Sequence, residues 1–109
     1  MSAIRLTMIP HQTQEGLEYQ HLRFKILHES GILEPSDLCE VVLPDGIQWN
    51  QGVVIEGKGP IWLYGYLVHQ CHAAAWVGCF DPRLGAVVVS THVRTIEVGQ
   101  VLPVVLSSL

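Results

Sequence analysis

The residues best suited to chemistry fall between positions 57 and 92. His69 and His72 stand three apart in an otherwise apolar stretch, and Asp81, Arg83 and His92 follow. Imidazoles and a carboxylate are the donor types that suit a divalent transition metal such as manganese or zinc, so His69, His72, Asp81 and His92 form a candidate metal set. The same groups allow a second chemistry. His72 would act as a general acid–base group near neutral pH, with Asp81 orienting it, and Arg83 would grip a phosphate through its planar fork. The plainer alternative is that Asp81 caps its own turn and Arg83 is a solvated tip.

A glycine-bounded turn, Gly57-Lys58-Gly59-Pro60, precedes the histidines. It lies between a short β-branched run, Gly52 to Glu56, and a stretch of helical composition, Ile61 to Ala75. Main-chain N–H groups at such a strand-to-helix junction favour anions, and ligands collect at the carboxyl ends of strands in α/β sheets. The turn is neither a Walker loop nor a dinucleotide fingerprint. Within the expected helix, steps of three and four place Gly65, His69, His72 and Trp76 on one stripe, with Gly65 leaving a hollow beside the imidazoles.

The elements that must position these residues follow from pattern and punctuation. Ala3 to Ile9 reads as a first strand ended by Pro10, and Leu17 to Leu27 as a second. Pro35-Ser36-Asp37 opens a short helical turn, and Pro44-Asp45-Gly46 is a turn. Pro60 suits the first position of the helix. Trp76 to Phe80 is a strand, Asp81 to Gly85 a tight turn, Ala86 to Val93 the returning strand, and Val101 to Leu106 a last strand. Strand, helix, strand and hairpin in that order imply a βαβ unit extended by antiparallel neighbours. The fold class is α/β, a small mixed sheet with one main helix, in a single domain spanning 1–109.

Composition narrows the partners. The 109 residues are 49% hydrophobic and 15% charged, with mean hydropathy +0.31. A monomer this small buries roughly two thirds of its unfolded surface, so so apolar a chain is expected to assemble with itself. The formal charge of −4 argues against long duplex nucleic acid, which is held by many phosphate contacts. A small anionic ligand remains open. No stretch reads as a membrane span or a signal peptide, and three cysteines without a CxxC pair fit a reducing cytoplasm.

The motif Gly59-Pro60-Ile61-Trp62-Leu63, then His69 and His72, then Val77 to Val89 (VGCFDPRLGAVVV) and His92 closely resembles the third type of CRISPR ring nuclease, over Gly52 to about Val104. The resemblance implies a subunit distantly similar to the Rossmann-like domains that sense cyclic oligoadenylates (CARF-like). It implies dimers that assemble to a tetramer around cyclic tetra-adenylate and cut it to linear di-adenylate, switching off type III antiviral signalling. Catalysis then falls to His72 and Asp81, metal association to His69, His72, Asp81 and His92 with manganese, and ligand binding to Gly57, Lys58, Gly59, Pro60 and Arg83. Trp62, Tyr64, Tyr66 or Trp76 are candidates for stacking on adenine. A cyclic oligoadenylate sensor without activity, a manganese-dependent RNA 3′-exonuclease and a structural metal-binding module are the alternatives.

Overall fold

The computed structural model describes residues 3–12 and 16–104. Six strands form one mixed sheet in sequential order: β1 (Ile4–Gln12), β2 (Glu18–Ile26), β3 (Gly52–Glu56), β4 (Trp76–Asp81), β5 (Gly85–Thr91) and β6 (Val101–Leu102). β2, β3 and β4 run parallel, and antiparallel hairpins extend them at both sides. A 3-10 helix, η1 (Pro35–Glu40), lies in the β2–β3 connection, and α1 (Ile61–Gln70) joins β3 to β4. The mixed α/β architecture with one main helix in a βαβ unit is therefore as the sequence implies, and it agrees with a distantly Rossmann-like fold.

Two crossovers of one hand that step the same way across a sheet must lie on one face. They do: Leu63, Leu67 and Cys71 from the helical segment and Leu33, Leu38 and Val41 from the β2–β3 connection share one core with Leu22, Phe24, Val53, Ile55 and Val77. Alternation along each strand sends Tyr19, Val54, Trp76, Ala86 and Val88 to the opposite face, where Ile96 and Leu102 cover them. β3 is buried on both faces, which explains its unbroken β-branched run.

Four expectations need correction. β1 runs through Pro10 to Gln12, because an edge strand tolerates the missing N–H. Pro60 is the N-cap residue (φ −69°, ψ 156°), not the first helical one. α1 stops at Gln70 rather than Ala75, although alanine favours helix. Sheet bonds override that preference: Ala75 N–H donates to the Gln51 carbonyl (3.1 Å), and the Ala75 carbonyl accepts from His92 N–H (2.9 Å). The last strand is limited to Val101–Leu102, while residues 105–106 of the expected strand lie outside the described residues. No helix among the described residues is long and apolar enough to cross a membrane.

Candidate functional site

The parallel strands end together at one pole of the molecule. There a cavity of about 410 Å³ opens between the β3–α1 turn and the β4–β5 turn, lined by Glu56, Gly57, Lys58, Tyr64, Phe80 and Pro82. Tyr64 Oη donates to the Gly57 carbonyl at 2.7 Å and so fixes the turn to the helix. Burial pushes the Tyr64 phenol above its ordinary range, partly opposed by that same bond. Glu56 is ion-paired with Arg23 at the inner wall.

The two turn glycines are explained by packing. A Cβ on Gly57 would stand 2.6 Å from the Phe24 carbonyl oxygen, and one on Gly59 would stand 2.7 Å from the Phe24 ring. Phe24 thus sets the close approach of this turn to β2. Phe24 and Tyr64 also meet edge to face at 5.2 Å, which joins the helix, the turn and β2 in one contact. Phe24, Phe80 and Pro82 escaped the sequence reading, since only the tertiary fold brings them to this turn.

At the same pole Asp81 closes its own turn. Its Oδ1 accepts from Arg83 N–H at 2.7 Å, and the Arg83 guanidinium lies 3.4 Å from Oδ2. These bonds hold the carboxyl below its ordinary value of 3.8. The Arg83 side chain is 84% exposed, so its remaining donors face solvent.

The imidazoles lie at the other pole. His72 follows α1, and its Nδ1 is 3.2 Å from the His69 carbonyl oxygen. A carbonyl only accepts, so Nδ1 carries the proton and neutral His72 keeps its lone pair on Nε2. His92, just past β5, places Nε2 2.9 Å from the His72 carbonyl. The His69 and His72 rings stack at 5.9 Å with 15° between their planes. All three histidines are exposed.

The six residues of β4 separate the two poles by about 16 Å. The structure therefore brings His69, His72 and His92 together and leaves Asp81 and Arg83 with Gly57, Lys58, Gly59 and Pro60. One subunit does not let Asp81 orient His72, nor let the four proposed metal ligands meet. Among the described residues no three His, Cys, Asp or Glu side chains converge on a metal position. Manganese on that four-residue set does not fit a single subunit.

The expected stripe is corrected as well. Trp76 lies in β4, 2% exposed, with its ring over Gly52, where a Cβ would come within 1.9 Å. It is sealed from any base. Gly65 does leave open space, with nothing within 4 Å of a Cβ. Of the aromatic candidates, Tyr64 lines the cavity, and Trp62, two residues before it, is 36% exposed.

These features define a small mixed α/β domain with a cavity at the carboxyl ends of its parallel strands and a histidine cluster at the opposite pole. Residues 26–103 match the CRISPR-associated protein (Cas_csx3) family, and the chain belongs to it. It is also 47% identical over 74 residues to an uncharacterised protein of Aquifex aeolicus (strain VF5), across 64% of this chain and 67% of that protein.

Proposed function

We propose that this protein is a ring nuclease of the cytoplasm, which binds cyclic tetra-adenylate between copies of itself and cuts it to linear di-adenylate. The observation that carries the reading is the polarity of the subunit. The proton-transfer group, His72, stands at one pole, and the phosphate-gripping groups, Lys58 and Arg83, stand at the other. A ligand clamped between subunits would meet both ends, and a catalytic pair of His72 and Asp81 would form from two different copies. Membership of a CRISPR-associated family and the GPIWL and DPRLG motifs support the same reading.

The chemistry asks little of a chain with six basic residues. His72 Nε2 takes the proton from an adenosine 2′-hydroxyl, and that oxygen attacks the adjacent phosphorus. The bond from phosphorus to the 5′-oxygen breaks, the 5′-oxygen takes up a proton, and a 2′,3′-cyclic phosphate remains. Two such cuts open the ring into two di-adenylates. Arg83, held by Asp81, faces charge on the phosphate, while Asp81 from a second copy takes over the Nδ1–H bond from the His69 carbonyl and so orients the imidazole.

The test incubates the protein with labelled cyclic tetra-adenylate, with and without manganese, beside His72→Ala and Asp81→Ala. Linear di-adenylate from the wild type, with most of the rate lost in both variants while binding persists, is expected. Tight binding without cutting makes the protein a sensor. Shortening of linear RNA from its 3′ end without ring opening makes it an exonuclease. No binding at all overturns the nucleotide reading.

A further inference from the structure

Five of the chain's six basic residues, Arg5, Arg23, Lys25, Lys58 and Arg83, gather at the carboxyl pole, against a net charge of −4. Register places them. Arg5 of β1 lies directly opposite Lys25 of β2, so their side chains share one face. One pair along, Arg23 of β2 stands level with Glu56 of β3. Lys25 is two residues beyond Arg23, and Lys58, in the turn just past β3, lines one cavity with Lys25, so Arg5, Lys25 and Lys58 follow one another across the ends of three adjacent strands. Arg83 extends the row at the end of β4.

The acids in the strands and tight turn of this pole are already engaged, Glu56 by Arg23 and Asp81 by Arg83. Glu29 stands in the loop that follows β2. Arg5, Lys25 and Lys58 are exposed and join no ion pair among the described residues. Like charges set opposite each other across a strand pair are unfavourable unless an anion joins them. A second cavity, of about 380 Å³, lies beside this row, lined by Phe24, Lys25, Ile26, Gly31 and Lys58. Lys58 lines both cavities and connects them.

We propose that Arg5, Lys25 and Lys58 form a phosphate-binding row that continues the ligand site from the β4–β5 turn across β3 and β2 to β1. Three strand spacings carry it about 14 Å. Its ligand is the sugar–phosphate backbone of a short single-stranded oligoribonucleotide. The nucleotide character of that ligand rests on the ring-nuclease reading; the anion site itself rests on register and charge.

The experiment measures binding of fluorescent linear penta-adenylate by anisotropy over a series of salt concentrations. It compares wild type, an Arg5→Gln/Lys25→Gln double variant, and a charge-retaining Arg5→Lys/Lys25→Arg variant. Each lost phosphate contact lowers the salt slope of log Kd by about 0.7 for a single strand, so the double variant is expected to fall by about 1.4 while the charge-retaining one stays near wild type. Equal affinity and slope in all three proteins overturns the row, as does wild type that does not bind the linear strand. Ring cleavage by the same preparations tells that failure apart from failure of the ring-nuclease reading.

Discussion

Nε2 of His92 lies 2.9 Å from the main-chain oxygen of His72, twenty residues away in sequence. This bond ties the end of β5 to the turn that carries the catalytic candidate. It also fixes the neutral His92 tautomer with its proton on Nε2, since the carbonyl can only accept. His92 thus holds the main chain of the turn that carries His72.

His92→Ala should cost about 1 kcal/mol in urea denaturation, the net worth of one hydrogen bond. Its effect on ring cleavage should fall on kcat and leave KM nearly unchanged. His92→Gln, which retains a donor, should recover part of kcat. Loss of KM alone would place His92 in ligand binding instead.

A catalytic pair drawn from two copies predicts complementation. His72→Ala and Asp81→Asn proteins, each nearly inactive, should regain activity on mixing. Random association of equal amounts leaves about a quarter of the sites intact. Asparagine is chosen because its side-chain oxygen still accepts from Arg83 N–H and preserves the turn. Activity that stays at the level of the separate variants would place both groups in one subunit.

The Asp81 carboxyl titrates below 3.8 because Arg83 bonds its charged form. A depressed folded-state value contributes stability that is present above the ordinary value and is lost as pH falls through the folded one. The Asp81 side chain is partly exposed and its Arg83 partner stands in solvent, so screening keeps the gain small and confined to acid pH. In Arg83→Gln the side-chain bonds vanish and the Arg83 N–H bond persists. The carboxyl should therefore titrate part-way back toward 3.8, as read by NMR.

The glycines of the β3–α1 turn test how closely it packs on Phe24. Gly59→Ala should destabilise the fold by about 1–3 kcal/mol through overlap with the Phe24 ring, and Phe24→Leu in the same chain should relieve part of that loss. Gly57→Ala should not be rescued, because its Cβ meets the Phe24 carbonyl and its φ of +154° is left-handed territory. Thermal melts of the four variants read both outcomes.

Cys71 is fully buried, and burial pushes its thiol up to about 11. Iodoacetamide at pH 8 should leave it unmodified in the native protein, while exposed Cys39 is labelled. Mass spectrometry of tryptic peptides checks this. Rapid labelling of Cys71 would mean that the end of α1 opens readily.

The strands and the hairpin were legible in the sequence because their cause is local. β-branched runs bounded by glycine, the Pro60 boundary and the Asp81-Pro82-Arg83-Leu84-Gly85 turn fix backbone preferences within a few residues. The Asp81–Arg83 contact is local too, spanning two positions. The extent of α1 was not legible, since Ala73 to Ala75 favour helix and only bonds to Gln51 and His92 pull them to the sheet. Nor could proximity in sequence place the site. His72 and Asp81 are nine residues apart, yet an extended strand between them carries them to opposite poles. In contrast, Arg5 and Lys25, 20 positions apart, fall level because strand register sets them opposite each other, and Lys58 joins them at a shared cavity. The sequence by itself determined which chemical groups this protein has and the elements that hold them. The tertiary structure decided which groups meet, because strand direction and register convert separation along the chain into position in space.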